Sequence, residues 1–408
     1  MQILKSCRRV FINSLLYSLP GLFVFLFKIT QNLYLCAIGT ENFMSLHCGI
    51  IGLTNTGKTT LFNCMSRTKA QTGKFAFSSN KSNVGMMEVP DPRLYKLAEL
   101  VKPEKIVPAT VEIIDIPGLT KGSSKGEGVG NQFLADIRNA DALIHVLRCF
   151  DDDNLPHIDG SVDPVRDIET VEFELQVKDL ESVEKKLQKV EKAAKVGDKE
   201  AKKAMEVLQI YTNHLRDCKP ARTAPVSEED RKYVQDLFLL SDKPVMFVCN
   251  VDEASAVKGN QYVEAVKSAL KDQNAKILVI AAAVEAEIAE LESREDQMAF
   301  LRDLGLEEPG VNRLLRAALD LLNMMYFFTA GPKEVRAWNI KKGMTAPQAA
   351  GVIHSDLERG FIRAEVMKYE DFIALGSEEA CKKAGKFYIE GKNYVVQDGD
   401  ILHIRFNV

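Results

Sequence analysis

The sequence has a single tryptophan, only six histidines and no excess of either charge. Its 408 residues include 53 Lys or Arg against 57 Asp or Glu, so the formal net charge is −4. A chain this close to neutral has no overall attraction for nucleic acid or anionic lipid, and any such contact needs a local patch. With 46% hydrophobic and 27% charged residues, the composition excludes a disordered, collagen-like or many-span membrane protein. The length predicts two or three domains.

Clustered cysteines are also missing. Eight cysteines are scattered along the chain without a CxxC motif and without a cluster of histidines. This usage predicts reduced, mostly buried thiols in a cytoplasmic protein, rather than a disulfide framework or a zinc site.

Long apolar runs are confined to the N-terminus. A basic segment before residue 10 precedes an apolar stretch at 11–27, which is the pattern of a signal peptide or a short membrane anchor. A nucleotide-binding strand starts directly after Met44, however, and such a domain belongs where nucleotide and reduced thiols are. We therefore expect residues 1–43 to be translated upstream sequence and no stable membrane partner, with an anchor as the alternative.

The clearest motif is a phosphate-binding loop. The apolar strand 48–51 leads into Gly-Leu-Thr-Asn-Thr-Gly-Lys-Thr at 52–59, which matches G-x-x-x-x-G-K-[ST] at every fixed position. The glycines let the backbone wrap around phosphates, and successive N–H groups and the following helix N-terminus face the anion. Lys58 is expected to bridge the outer phosphates, and the Thr59 hydroxyl to bind Mg²⁺. A chance glycine-rich turn is the alternative, but the strand and helix on either side argue against it.

A second motif, Asp-Ile-Pro-Gly at 115–118, ends an apolar strand. An acidic residue there can hold the metal through water, and the Gly118 N–H can sense the last phosphate. The polar loop 77–80 is suited to supply a second hydroxyl to Mg²⁺. After Gly118, where Ras-like GTPases have the glutamine that orients the attacking water, this chain has Leu119. Because leucine cannot hydrogen-bond, we expect hydrolysis to be slow, differently assisted or dependent on a partner.

The base-recognition motif is altered as well. After the apolar strand 245–249 comes Asn-Val-Asp-Glu at 250–253, where a GTPase has Asn-Lys-x-Asp. The missing lysine removes a stem that packs along the base, and Glu253 carries its carboxylate one methylene further than the expected Asp. Guanine selectivity should be weakened, since it depends on a well-placed pair of hydrogen bonds. Residues 281–286 would complete the base pocket.

Two further modules are visible in the pattern. From about residue 170 to 219, apolar positions recur every three or four residues and break at Gly197, which predicts two antiparallel helices in a coiled-coil hairpin. Its even charge balance leaves open whether the lysines form a solvated face or a partner surface. From about residue 326, short alternating segments predict a small mixed sheet with a helix. These segments lie at 334–340, 360–367, 387–390, 394–396 and 401–406.

Together these motifs resemble the Obg-like ATPase (YchF) family. The resemblance covers nearly everything from Met44 onward. It rests on GLTNTGKTTLFN, VGMMEVPDPRL, DIPGLTKGSSKGEGVGNQFL, NVDE, LEEPGVNRL, YFFTAGPKEVRAW, TAPQAAGVIHSD and DGDILHIRFNV.

The resemblance implies an α/β protein of three modules. A P-loop NTPase domain with a mainly parallel sheet takes residues 44–165 and 235–325, and the α-helical coiled-coil hairpin is inserted at 166–234. A C-terminal α+β TGS domain of ubiquitin-like fold takes 326–408. The family binds and slowly hydrolyses ATP and associates with ribosomes and stress responses. We therefore expect a monomer whose hairpin and TGS domain contact the large ribosomal subunit or the intact ribosome, with RNA as a further partner.

Carried over residue by residue, the resemblance also implies a site. The Mg²⁺ ligands are Thr59, Ser79 and Asp115, and the catalytic residues are Lys58, Leu119 and His157. Nucleotide contacts are expected from Asn55, Thr56, Gly57, Lys58, Thr59, Thr60, Gly118, Asn250, Val251 and Glu253.

The resemblance gives some of these residues a more specific role. Val251 is expected at the adenine, and Asn55 resembles the P-loop asparagine of potassium-activated relatives, which makes K⁺ an expected activator. His157 aligns with a flexible loop histidine that is implied to aid hydrolysis, whereas a lone loop histidine is more often only solvated. The family usually has Thr-Ile-Glu-Pro-Asn where this chain has Ser-Asn-Lys-Ser-Asn at 79–83. Ser79 keeps the ligating hydroxyl.

Three functional hypotheses remain open at this point. The first is a Mg²⁺-dependent ATPase. The second is a nucleotide-gated ribosome-binding switch that uses GTP and relies on a partner for hydrolysis. The third is an ordinary GTPase in which Glu253 reads guanine.

Overall fold

The computed structural model describes residues 46–67, 83–118 and 129–407, without the side chains of 129–132. The predictions for residues 1–43, Ser79 and Leu119 lie outside the described residues. Everything described belongs to one unit that begins at Leu46.

The chain up to residue 321 alternates short apolar strands with helices. In order, the first of these elements are β1 (His47–Ile51), α1 (Lys58–Arg67), β2 (Asn83–Val89), α2 (Pro92–Val101), β3 (Lys105–Val107), β4 (Ala109–Asp115), α3 (Val129–Asn139) and β5 (Ala142–Arg148). The next are α4 (Pro164–Lys195), α5 (Lys199–Arg216), β6 (Val245–Asn250), α6 (Gln261–Ala269), β7 (Lys276–Ile280), α7 (Ala282–Glu290), α8 (Arg294–Asp303) and α9 (Gly310–Leu321).

Six of these strands form one sheet in the order β2-β4-β1-β5-β6-β7. All neighbours pair in parallel except β2, which runs antiparallel to β4 at the edge. Every residue of β5 is buried, as expected for a central parallel strand with helices on both faces. The predicted α/β fold with a mainly parallel sheet is confirmed.

The predicted helical hairpin is formed by α4 and α5. Asp163 caps α4 by accepting hydrogen bonds from two N–H groups of its first turn. Gly197, at φ +98°, makes the turn after α4, and Asp198 caps α5. Buried apolar side chains close the space between the two helices, and short 3-10 turns at 221–242 pack along them before the chain returns to β6.

The C-terminal part forms a second sheet. Its elements are β8 (Met324–Ala330), β9 (Glu334–Lys341), α10 (Ala346–Ile353), α11 (Ser355–Arg359), β10 (Phe361–Met367), α12 (Tyr369–Leu375), α13 (Glu378–Lys383), β11 (Tyr388–Glu390) and β12 (Ile401–Phe406). The strand order is β11-β10-β12-β8-β9-β3. The last strand, β3, comes from the nucleotide-binding part and pairs in parallel with β9. The sequence pattern predicted β9, β10, β11 and β12 closely, but not β3 or β8. The predicted segment 394–396 is not a strand, because Val395 makes only an isolated bridge to Thr345.

Arg93 of α2 lies at the junction of the two sheets. Its guanidinium is 3.0 Å from Asp91 and 2.9 Å from Asp398, which precedes β12. The same group lies 5.3 Å from the ring centre of Tyr326 and 5.6 Å from that of Phe328, both in β8. A carboxylate from each part of the molecule and two aromatic rings of the C-terminal sheet therefore meet at one side chain.

Two findings concern membranes and thiols. Among the described residues, no helix is long and apolar enough to cross a bilayer. Of the six described cysteines, five are buried and Cys218 is exposed.

Candidate nucleotide-binding site

The predicted nucleotide-binding residues lie at the carboxyl edge of the parallel sheet. β1 leads into the phosphate-binding loop, β4 ends at Asp115, and β6 ends at Asn250. Because β4, β1, β5 and β6 are parallel, their carboxyl ends open at the same edge. This is where open α/β sheets bind ligands.

Two glycines of the phosphate-binding loop occupy positions where a side chain does not fit. Gly52 has φ +145°, and a Cβ there would collide with the carbonyl oxygen of Val146 in β5. Gly57 has φ +95°, and its Cβ would collide with the side-chain amide of Asn250. Both the backbone conformation and the close approach therefore require glycine.

Lys58 begins α1 and is buried within the loop. Its ammonium donates a hydrogen bond to the carbonyl oxygen of Leu53, and the Thr56 hydroxyl donates to the same oxygen at 3.2 Å. Burial lowers the pKa of Lys58 to about 8, although the nearby Asp115 favours the charged form. A phosphate anion at the helix N-terminus would supply negative charge that stabilises this buried ammonium.

Two of the residues expected to bind Mg²⁺ lie side by side. The Thr59 hydroxyl donates to Oδ2 of Asp115 at 2.9 Å. Oδ1 of Asp115 is buried and makes no hydrogen bond within the described residues. Burial raises the pKa of Asp115, while the hydrogen bond from Thr59, the charge of Lys58 and the side chain of Asn83 oppose this shift. A hydroxyl beside a carboxylate with an open oxygen fits a hydrated Mg²⁺.

Gly118 lies directly against the phosphate-binding loop. A Cβ at this position would come within 3.1 Å of the backbone N and Cα of Thr54. The backbone of Gly118 is therefore close enough to respond to what the loop binds.

In the base-recognition motif, Asn250 links the phosphate-binding loop to the segment that follows β7. Its amide nitrogen donates to the carbonyl oxygen of Thr56 at 3.0 Å, and its Oδ1 accepts from the Ala282 N–H at 2.9 Å. The Val251 side chain is only 2% exposed and packs in an apolar cluster. Its N–H donates to the carbonyl oxygen of Ile280 at 3.0 Å. The predicted contact of Val251 with adenine stays a prediction, and in this conformation the side chain has almost no exposed part with which to make it.

Glu253 is exposed at the start of a 3-10 turn. The preceding Asp252 caps that turn by accepting a 2.8 Å hydrogen bond from the Ser255 N–H. Glu253 is thus the carboxylate of this motif that makes no hydrogen bond within the described residues, whereas Asp252 uses one oxygen in the cap.

Asn55 connects the phosphate-binding loop to the segment after β5. It has φ +62°, a left-handed conformation that asparagine tolerates, and its amide nitrogen donates to the carbonyl oxygen of Pro156 at 3.3 Å. The next residue is His157, so the predicted catalytic histidine directly follows a residue that contacts the loop.

The ring of His157, however, is engaged on both nitrogens. Nδ1 accepts the Asp159 N–H at 3.1 Å, which leaves Nε2 of the neutral ring to donate to Asp167 at 3.0 Å. His157, Asp159 and Asp167 bring ligand-type atoms close together. A metal ion on Nε2 of His157 would, however, require a proton on Nδ1 that faces the Asp159 N–H. A catalytic role for His157 remains a prediction, and it requires the hydrogen bond to Asp167 to break.

Sequence reasoning missed Arg148. This side chain is buried at the end of β5 and donates to the carbonyl oxygens of Phe150, Asp152 and Leu155 at 2.6–3.2 Å. It fixes the loop that carries Pro156 beside the phosphate-binding loop. A charged residue that ends an apolar strand was the only sequence signal for it.

The role of Glu285 was missed as well. Glu285 is buried and accepts hydrogen bonds from the N–H groups of Gly310 and Val311 at 2.6 and 3.3 Å. It therefore caps α9 from helix α7, a contact between residues that are far apart in the sequence.

Two family models match the chain. Residues 47–197 match the model of a 50S ribosome-binding GTPase. Residues 324–407 match the YchF-GTPase_C model, which is described as a protein of unknown function.

Curated relatives match over most of the chain. The Ribosome-binding ATPase YchF of Bacillus subtilis is 50% identical over 367 residues, which is 90% of this chain and 100% of that protein. The proteins of the same name from Haemophilus influenzae and Escherichia coli O157:H7 are 47% and 46% identical, with the same coverage. The solved structure of the Schizosaccharomyces pombe YchF GTPase is 33% identical and has a TM-score of 0.78, covering 88% of this chain and 98% of that one.

Proposed function

Because the chain belongs to the YchF family, we propose that it is a Mg²⁺-dependent ATPase that binds the ribosome. The curated relatives are named ribosome-binding ATPases, and the chain spans their full length. The observation that carries the proposal is the arrangement of Lys58, Thr59 and Asp115 at the carboxyl edge of the sheet.

The chain's own groups position the phosphates. The N–H groups of the loop and of the first turn of α1 face the anion, and Lys58 exchanges its backbone partner for the outer phosphates. Bound Mg²⁺ would neutralise charge that develops on the transferring phosphoryl group. Thr59, Asp115 and, outside the described residues, Ser79 would hold that ion. The backbone of Gly118 would respond to the terminal phosphate.

ATP is proposed over GTP because of the base-recognition motif. Asn250 is committed to holding the phosphate-binding loop to the segment that follows β7. Asp252 caps its own turn, and the side chain of Val251 is buried. Only Glu253 of this motif could accept the guanine N–H pair, and it carries its carboxylate one methylene too far for the usual geometry.

Hydrolysis is proposed to be slow without a partner. Leu119 takes the position at which a hydrogen-bonding residue would orient water, and His157 is held by Asp167. Release of His157, or a group supplied by the ribosome, would provide the missing assistance. Asn55 is the proposed site of activation by K⁺.

We take the chain to be a cytoplasmic monomer that contacts the ribosome, including ribosomal RNA, through the hairpin and the TGS domain. Its domains would be 44–165 with 235–325 for nucleotide binding, 166–234 for the hairpin and 326–408 for the TGS domain.

Equilibrium binding of labelled ATP and GTP, with Mg²⁺, tests the nucleotide assignment. We expect tighter binding of ATP, and loss of binding in Lys58→Ala. Lys96→Ala is the matched control, because Lys96 is an exposed lysine on α2, away from the loop. A preference for GTP would assign the chain to guanine-nucleotide switches, and undiminished binding by the Lys58 variant would refute the site.

Turnover measured with and without purified ribosomes tests the second half of the proposal. Binding to ribosomes together with faster turnover would support a ribosome-linked ATPase. If the protein does not bind ribosomes and ribosomes do not accelerate turnover, the proposed ribosome binding is wrong. The proposed ATPase activity would be unaffected by that result.

A further inference from the structure

Charge is divided sharply along the hairpin. The proximal part of α4, residues 164–184, has two basic and seven acidic residues, a net charge of −5. Residues 185–203, which comprise the end of α4, the turn and the start of α5, have eight lysines and three acidic residues, a net charge of +5. Over the whole hairpin the numbers of basic and acidic residues are nearly equal, so the overall charge does not reveal this division. We call residues 185–203 the lysine tip.

Most lysines of the tip have no acidic partner. Three of the eight form ion pairs, which are Lys186–Asp236, Lys195–Glu191 and Lys203–Asp230. The other five are exposed and make no ion pair within the part of the chain that the structure describes. They are Lys185, Lys189, Lys192, Lys199 and Lys202. The tip thus presents positive charge that the fold itself does not neutralise.

Three of the unpaired lysines form a row. Lys185, Lys189 and Lys192 are spaced i, i+4, i+7, so they share one face of α4. At about 1.5 Å per residue, the row is roughly 10 Å long. A nucleic-acid duplex carries one phosphate charge per ~1.7 Å of its axis, so a row of this length faces several phosphates.

The tip is also accessible to a large partner. After Val183, α4 has one buried residue among those described, Ala194, so most of the end of this helix faces solvent. The apex residue Val196 is 88% exposed, and a Cβ on the following Gly197 would meet no atom within 4 Å. Nothing that the structure describes therefore covers the five unpaired lysines.

The type of basic residue in the lysine tip indicates which chemical group the tip binds. All eight basic residues of the tip are lysines, and none is arginine. Lysine is a point charge that contacts phosphate without the forked geometry that reads a guanine edge or grips a carboxylate. The acidic proximal part of α4 would repel the same polyanion, which limits contact to the tip.

We propose that the lysine tip docks on the phosphodiester backbone of ribosomal RNA, without reading its sequence. This inference rests on the proposed ribosome binding and assigns it to a surface and to a chemical class of partner. The row on α4 provides the main phosphate contacts, and Lys199 and Lys202 extend the surface across the turn.

The test compares two variants of the full chain that lose the same charge. The row variant combines Lys185→Gln, Lys189→Gln and Lys192→Gln, and glutamine keeps the helix propensity of lysine. Binding to purified ribosomes and to protein-free ribosomal RNA is measured over a series of salt concentrations. ATP turnover without ribosomes verifies that both variants are folded.

The control variant removes three exposed lysines of the nucleotide-binding part by Lys96→Gln, Lys105→Gln and Lys271→Gln. These residues lie on α2, on β3 and in the 3-10 turn that precedes β7. The control therefore separates a local role of the row from the effect of lowering the net charge.

We expect the row variant to bind both ribosomes and free RNA about tenfold or more weakly, and the control to bind like the parent. The slope of log affinity against log salt should become less steep by about 2 to 3, because three phosphate contacts are lost.

Unchanged ribosome binding by the row variant would overturn the inference while leaving the proposed function intact. Weaker binding to ribosomes with unchanged binding to free RNA would overturn it in favour of an acidic ribosomal protein. If the parent does not bind ribosomes, the proposed function fails and the inference fails with it, whatever the binding to free RNA.

Discussion

His145 is a titratable side chain buried in the middle of β5, between apolar neighbours. It is 1% exposed, its ring lies 5.6 Å from that of Phe247, and its Nε2 makes no hydrogen bond within the described residues. Burial lowers the pKa of His145 to about 3, and the positive charges of Lys58 and Arg222 act in the same direction. The folded protein therefore keeps this ring neutral at pH values where the unfolded chain, with an ordinary pKa of about 6.5, binds a proton.

This difference predicts acid sensitivity. Below about pH 6.5 the unfolded state binds more protons at this position, so the free energy of unfolding falls as the pH falls toward 3. The slope is at most about 1.4 kcal/mol per pH unit, which gives about 2 kcal/mol between roughly pH 7.5 and pH 5. Denaturant unfolding at both pH values should show this loss in the parent and a smaller loss in His145→Leu.

The pH range above neutrality provides the control for His145. The stabilities of the parent and of His145→Leu should run parallel there, because the ring is neutral in both the folded and the unfolded state. An identical acid loss in both proteins would show that this histidine is not the cause.

Tyr211 presents a different kind of buried polar group. It is fully buried between the hairpin helices, and its hydroxyl makes no hydrogen bond within the described residues. An unsatisfied buried hydroxyl costs about 1–3 kcal/mol, so Tyr211→Phe should keep or raise the free energy of unfolding. Tyr233→Phe is the matched control, because that hydroxyl donates to Glu200 at 2.6 Å and its removal should not stabilise the protein. Clear destabilisation by Tyr211→Phe in a denaturant titration would mean that this hydroxyl has a partner.

At the scale of single residues, the sequence predicted positions whose chemistry depends on a local motif. Lys58 and Thr59 meet Asp115 because a strand, a glycine turn and a helix place them at the same sheet edge. The sequence did not predict that the side chain of Val251 is buried, because this burial depends on packing against the neighbouring strands. The hydrogen bond between His157 and Asp167 was also missed, since it depends on how the loop folds back onto the start of α4.

At the scale of elements, Arg148 makes the loop after β5 a defined structure. Its guanidinium satisfies three backbone carbonyls of the loop and lies 4.9 Å from the ring centre of Phe150. Lysine keeps the charge but lacks the planar fork that reaches three acceptors. Arg148→Lys should therefore cost about 1–2 kcal/mol of stability, since part-buried carbonyls lose charged donors. Hydrogen exchange should become faster across residues 149–157.

The control for this prediction is Arg359→Lys. Arg359 is an exposed arginine that pairs with Asp356, so its replacement should change stability by less than about 0.5 kcal/mol. Unchanged exchange at 149–157 in Arg148→Lys would mean that the loop is held by other contacts.

The sequence predicted elements correctly where the apolar repeat extends over many residues, and it failed where an element is only a few residues long. The repeat through α4 and α5 is sustained over many turns, and Gly197 marks the break between the helices. Strand β3 has only three residues, two of them exposed, and its partner β9 lies far along the chain. No local pattern specifies such a pairing, because its stability comes from a tertiary contact.

At the scale of the whole molecule, β3 and Arg93 tie the C-terminal sheet to the nucleotide-binding part. Asn339 of β9 adds a 2.6 Å hydrogen bond to the carbonyl oxygen of Thr110 in β4. One apolar core also contains residues of both parts, including Leu94 and Phe328. These contacts predict that the two parts unfold together, and that nucleotide-dependent motion is confined to the hairpin and the loops of the site.

Arg93→Met tests this coupling. The substitution removes the charge between Asp91 and Asp398 and leaves Asp91, which is buried, without its guanidinium partner. Losing charge-assisted hydrogen bonds to a buried carboxylate costs about 1.5–3 kcal/mol, and we expect the loss to appear equally in both parts of the molecule. Trp338 is the single tryptophan and lies in β9, so its fluorescence reports the C-terminal sheet. Binding of labelled ATP reports the other part.

Trp338 fluorescence and ATP binding, both measured over the same denaturant series, show whether the two parts of the molecule unfold together. Coincident transitions in the parent, shifted together in Arg93→Met, are expected if the two sheets are one cooperative unit. Arg359→Met serves as the control and should leave both transitions in place, because it removes an exposed arginine whose ion pair lies within the C-terminal part. A variant in which the tryptophan transition shifts while ATP binding persists would show two separable units. The C-terminal sheet could then move with the nucleotide state, because β3 and Arg93 would hold it only weakly.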